Sequence, residues 1–171
     1  MGEPVPVYGQ GFFVVSRGVI TYIIVFDYLD EELYYQRLIE EGLVRGEEER
    51  LARNMQEIMD EERVIVNGED VRVEVLDARV EVRGDPRRPS VTFMSIIPYR
   101  PRPGVNVYEN LYEEDEASYD YTVYWIAGPC IEITGIESPG IVEHGRWVTR
   151  IFVRRGTRVT GYESVSFKIQ C

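Results

Sequence analysis

Apolar and polar residues alternate with a period of two in several stretches of this chain, the pattern of strands that bury one face. The clearest run covers residues 64–97. Val64-Ile65-Val66 leads into Asn67-Gly68, a strong hairpin signal because both central residues of a type I′ turn need φ > 0. Val71, Val73 and Val75 then alternate with Arg72 and Glu74, after which the apolar set moves to even positions at Leu76, Ala78, Val80 and Val82. A one-residue slip turns the charged set inward unless the backbone absorbs it, which predicts a β-bulge or sharp bend at Val75-Leu76. Gly84-Asp85-Pro86 turns the chain back into a strand over 91–97. The pattern predicts a three-stranded antiparallel meander.

Upstream, residues 8–15 and 19–26 read as a hairpin across Ser16-Arg17-Gly18. Both runs are almost wholly apolar, which predicts central strands covered on both faces. The period then changes. Asp30 is a candidate helix cap, followed by Tyr35, Leu38, Ile39 and Gly42 at helical spacing, with Arg45-Gly46 as the stop. Glu47, Glu48 and Glu49 open a second helix whose stripe is Leu51, Met55, Ile58 and Met59. Downstream, Pro98, Pro101, Pro103 and Gly104 predict an extended connector. Residues 108–121 read as a long acidic, Tyr-rich loop with edge-strand character. Strands are expected at 121–125, 131–133, 147–153 and 165–169.

Together these elements predict an α+β protein, predominantly antiparallel β, with about nine strands in a sandwich or barrel-like arrangement. One helical segment, a kinked helix or two short ones, is expected near residues 30–62, packed on the sheet. Neither a repeat nor a linker breaks the chain, so residues 1–171 read as a single domain.

Charge narrows the class of partner. The net charge is −11, with −9 over residues 27–62, −6 over 109–120 and +4 over 143–171. This argues against nucleic acid and anionic membrane as partners. The separated poles suit a homo-oligomer or a protein partner. The start of the chain lacks a basic leader, and the apolar stretch 12–26 is broken at Ser16-Arg17-Gly18, so a cytoplasmic protein is expected. One Lys stands beside 18 Arg, and Asn and Gln together number eight, a balance that suits a thermophile. Cys130 and Cys171 lie outside any C-x-x-C. They are reduced in a mesophilic cytosol, and a bridge between them is the alternative in a hyperthermophile.

Candidate chemistry is sparse. The chain holds no phosphate-binding G-x-x-x-x-G-K-[ST], no G-x-S-x-G and no H-E-x-x-H. His144 is the single histidine, which excludes two-His metal sites. No catalytic residue, metal site or cofactor is assigned. The leading expectation is a non-enzymatic domain that self-associates or binds a protein through Tyr108, Tyr112, Tyr119 and Tyr121, since Tyr is favoured at interfaces. The alternative is a small-molecule-binding β-barrel or sandwich with an apolar pocket formed by residues such as Phe13, Tyr22, Leu38 and Trp125. A second alternative is a hydrolase using His144 or paired carboxylates.

Overall fold

The computed structural model describes residues 2–171. Among these, fourteen strands and two helices follow in the order β1 (Val5–Ser16), β2 (Val19–Leu29), α1 (Tyr34–Glu40), α2 (Val44–Glu61), β3 (Arg63–Val66), β4 (Glu69–Val71), β5 (Glu74–Val82), β6 (Pro89–Pro98), β7 (Gly104–Leu111), β8 (Asp115–Glu116), β9 (Asp120–Ala127), β10 (Ile131–Glu137), β11 (Ile141–Glu143), β12 (Val148–Val153), β13 (Arg158–Val159) and β14 (Tyr162–Ile169). A seven-stranded sheet runs β11-β12-β9-β1-β2-β6-β5, a five-stranded sheet runs β10-β14-β7-β3-β4, and β13 pairs with β8 alone. The chain is α+β and mostly antiparallel. Both large sheets keep free ends, so there is no closed barrel.

The excess over nine strands consists of β7, which falls where a connector and the start of an acidic loop are expected, and of four very short strands. Strands β4, β8, β11 and β13 are two or three residues long, too short for alternation to register. The expected meander also divides between the sheets: β3 and β4 pair in the five-stranded sheet, whereas β5 and β6 pair in the seven-stranded one. Residues 71–82 therefore form two strands that cross between layers at Arg72-Val73. The hairpin turn itself forms, with Asn67 at φ 55° and Gly68 at φ 80°. The bulge also forms, between Val75 and Asp77.

Strands β1 and β2 pair along their length and lie centrally in the seven-stranded sheet. β1 also pairs with β9 in parallel, whereas the other strand pairings are antiparallel. The inward-facing Phe13, Val15, Ile20 and Ile24 are buried, but the alternate residues Phe12, Val14, Ile23 and Val25 are only partly buried. This corrects the expectation of cover on both faces. Residues 108–121 also depart from the reading as one loop. Tyr108 lies in β7, between β14 and β3, and is only 4% exposed.

Asp30 does cap a helix, from further upstream than expected. Its carboxylate accepts the amides of Tyr34 at 2.9 Å and Tyr35 at 3.0 Å. The helical break falls at Gly42, which takes φ 72°, and Gly46 lies inside α2. Helix α2 then seals the edge strand β5. Gln56 donates to Val73 O at 2.9 Å and accepts from Val75 N at 2.8 Å, and Glu48 accepts from Val80 N at 3.0 Å. Side chains thus meet backbone groups that an uncovered edge would present to another strand.

The core lies between the two large sheets. Phe93, Ile97, Trp125 and Val153 from one layer face Val64, Val66, Val165 and Phe167 from the other. Cys130 and Cys171 are joined in a disulfide with their Cα atoms 5.5 Å apart, tying the start of β10 to the end of β14. Such bridges persist in oxidising compartments and inside hyperthermophiles. No helix among the described residues is long and apolar enough to cross a membrane.

Candidate functional site

Between the sheets lies a cavity of about 260 Å³, open to solvent along part of its wall. Its floor owes its depth to β1. Inward positions along that strand are Gly9, Gly11, Phe13 and Val15, so two consecutive inward places carry no side chain. A Cβ at Gly9 would approach Tyr119 Cε2 and Tyr121 Cβ to 3.3 Å, and one at Gly11 would reach Tyr22 Cε2 at 3.4 Å.

One wall is a row of rings set by strand register. Tyr22 on β2 and Trp125 on β9 are both opposite Phe13 on β1. The rings stack, with centroids 3.8 Å apart for Tyr22 and Phe13 and 4.1 Å apart for Phe13 and Trp125. Tyr108 from the other sheet meets this row edge-on, 5.0 Å from Trp125. Tyr119 stands edge-on to Phe26 at 6.2 Å. Tyr112 and Tyr121 complete the aromatic lining.

The opposite wall carries a polar row across the five-stranded sheet. Glu163 on β14 is opposite Asn110 on β7, and Asn110 is opposite Val64 on β3. Glu62, two residues before Val64, reaches the same wall and accepts from Asn110 Nδ2 at 3.0 Å. Ser138 Oγ lies 3.4 Å from Glu163 Oε1 as donor. Asn110 Oδ1 and the Tyr112 hydroxyl are buried and have no protein hydrogen-bond partner. Glu137 lies exposed at the rim.

The electrostatics follow from burial. Removal from water pushes the Glu163 carboxyl up to about 7; the Ser138 hydroxyl opposes this and the Glu62 charge adds to it. Glu62 is also raised by burial, against the Asn110 amide. Burial holds the Tyr22, Tyr108, Tyr112 and Tyr121 hydroxyls well above the usual phenol range. The cavity lining includes three Glu and no Lys, Arg or His.

The structure therefore brings Phe13, Tyr22 and Trp125 together with Tyr108, Tyr112, Tyr119 and Tyr121 around one space. Leu38 lies elsewhere, beside Tyr34 and Tyr35 in a groove between β2 and the helices. His144 is exposed in the turn between β11 and β12. Cys130, oxidised in the disulfide, offers no thiol for a dyad with it. Among the described residues, no three acidic, His or Cys side chains converge as a metal site.

Sequence reasoning missed Glu62, Asn110, Ser138 and Glu163. For two of them a signal existed: Glu163 is in phase with Val165, Phe167 and Ile169, and Glu62 with Val64 and Val66. An acid on the apolar phase of a strand is a buried carboxyl in waiting.

No protein-family model and no curated protein matches this chain. Among solved structures, a Parabacteroides distasonis protein described as a "putative protease" is similar at 8% identity and a TM-score of 0.34. The match takes in 95% of this chain and 40% of that one, so this chain spans well under half its length. A likeness that slight carries no functional information.

Proposed function

We propose that this chain is a binding domain for a small organic cation, an amine with an apolar body, held in the cavity between the sheets. The observation that carries the reading is the composition of the wall: aromatic rings and two inward Glu, with no basic side chain among them. Each carboxyl has one neutral hydrogen-bond partner and no opposite charge, Asn110 for Glu62 and Ser138 for Glu163, and a buried carboxylate without a counter-charge is costly. An ammonium group placed between Glu163 and Glu62 would remove that cost and donate to the unpartnered Asn110 Oδ1. The volume is below the roughly 300 Å³ at which drug-sized pockets begin, which favours a compact ligand. Both faces of Phe13 are covered by neighbouring rings, so selection for positive charge falls to the carboxyls more than to a ring face.

Tyr108, Tyr112, Tyr119 and Tyr121 line this cavity, which supports a ligand role for them over use as anchors for a protein partner. Titration calorimetry with small primary and quaternary amines, against neutral and anionic analogues of equal size, tests the reading. One-to-one binding confined to the cations is expected, weakened at least tenfold by Glu163→Gln. Equal binding of neutral analogues, or no binding of any amine, would overturn it.

A second reading has one observation in its favour. Glu163 holds its proton to about 7 and shares the cavity with a second carboxyl, a basis for general acid–base hydrolysis. Turnover of chromogenic glycosides, abolished by both Glu62→Gln and Glu163→Gln, would establish it in place of simple binding.

A further inference from the structure

The end of α2 is built against its own dipole. A helix of 18 residues presents unpaired carbonyls and partial negative charge at its C-terminus, where Lys, Arg or His is favoured and an acid is not. No basic residue stands in the last turn of α2, and the capping residue is Glu62. Met59 and Glu62 bring this helix end to the wall of the cavity between the sheets. The arginines beside it are committed elsewhere. Arg63 pairs with Asp70 at 2.6 Å and Arg72 with Asp60 at 2.9 Å, and neither lines the cavity. The helix end thus lacks a cation, and the chain supplies none.

The hydrogen bonds of the polar wall point the same way. Asn110 Nδ2 donates to Glu62 Oε2, and Ser138 Oγ donates to Glu163 Oε1. The other oxygens of that wall, Glu62 Oε1, Glu163 Oε2 and Asn110 Oδ1, have no donor among the described residues. The Tyr108 side chain, only 4% exposed, lines the same space, and its hydroxyl has no hydrogen bond among the described residues. Buried polar groups ordinarily find partners, so this wall is short of donors.

We propose that the cavity selects a primary amine that carries no acid group, its ammonium held by Glu62, Glu163 and Asn110 beside the C-terminus of α2. The selection rests on the amine-binding reading above and narrows it. A primary ammonium has three N–H donors and no acceptor, one donor for each unpartnered oxygen. A quaternary ammonium brings the same charge with no donor, so it leaves Asn110 Oδ1 buried and unpaired. An amino acid brings the ammonium with a carboxylate on the adjacent carbon. The lining has no Lys, Arg or His to receive that carboxylate, and two carboxyls and a helix C-terminus repel it. The remainder of the ligand meets Tyr22, Tyr108 and Trp125, which suits one aromatic ring on a short arm.

Three compounds with one ring and one arm test this: 2-phenylethylamine, its N,N,N-trimethyl derivative and phenylalanine. Titration calorimetry at pH 8, above the range in which Glu163 holds its proton, is expected to show one-to-one binding of 2-phenylethylamine. The trimethyl derivative should bind more weakly by roughly tenfold or more, and phenylalanine by roughly a hundredfold or more. Asn110→Leu removes one acceptor and should bring the primary and quaternary amines to within about twofold of each other. If that variant fails to fold by circular dichroism, the wild-type series decides the matter alone. Equal affinity for the primary and quaternary amines would overturn the selection while the cation reading stands. Phenylalanine bound as tightly as 2-phenylethylamine would overturn it as well. Failure of all three compounds to bind would remove the amine reading and the selection with it.

Discussion

Asn110 stands directly opposite Glu163 in the pairing of β7 with β14, and its side-chain amide turns the other way to donate to Glu62 at 3.0 Å. One neutral side chain thus lies between two carboxyls that burial has already made reluctant to ionise. The arrangement leaves Glu163 with only the Ser138 hydroxyl, at 3.4 Å, to favour its charge.

This makes stability depend on pH in an unusual direction. A carboxyl raised from 4.5 to about 7 in the folded state keeps its proton there after the unfolded chain has lost it. The contribution of Glu163 is therefore free of penalty below about 4.5 and is lost as pH rises to about 7. Glu163→Gln should stabilise the protein at pH 8 by on the order of 1–3 kcal/mol relative to its effect at pH 4. Urea denaturation of both proteins at the two pH values checks this, and an equal effect at both would contradict it.

Cation binding should follow the same proton. A bound ammonium favours the ionised Glu163, so binding near neutrality releases a proton and tightens as pH rises through about 7. Calorimetry in two buffers of different ionisation enthalpy should give different apparent heats. Identical heats would separate binding from Glu163.

Gly11 should be replaceable at the expense of the cavity alone. Its added Cβ would meet Tyr22 Cε2 at 3.4 Å, an ordinary contact, and its φ is not in the left-handed region. Gly11→Val suits a strand and should leave stability within about 1 kcal/mol while lowering amine affinity at least tenfold. A thermal melt and a binding isotherm on one preparation check both halves.

Gln56 is the seal on the β5 edge. Gln56→Ala leaves Val73 O and Val75 N without their side-chain partner and should cost about 1–3 kcal/mol. It should also expose strand edge, so a rise in light scattering on mild heating is expected together with a lower urea midpoint.

The disulfide closes a loop of 41 residues, which corresponds to about 4 kcal/mol in the chain-entropy account. Urea denaturation with and without reductant should separate the midpoints accordingly. Reduction with no change in midpoint would mean that β10 and β14 hold this end of the sheet without it.

What the sequence determined by itself was local. Apolar runs bounded by turn residues placed β1, β2 and β6, the phase slip located the bulge beside Leu76, and Asn67-Gly68 announced its turn, because each depends on neighbours a few residues apart. The acids Glu62 and Glu163 were legible as polar residues on apolar phases, though not as members of one site. What only the tertiary structure decided was which strands became neighbours. The parallel pairing of β1 with β9, the crossing at Arg72-Val73 and the place of β7 between β14 and β3 join residues far apart in the chain. Local pattern carries no record of such partners, since register between distant strands is chosen by the packing of whole layers. That choice set Phe13 between Tyr22 and Trp125, brought Asn110 opposite Glu163, and left Phe12 and Tyr124 stacked on the outside.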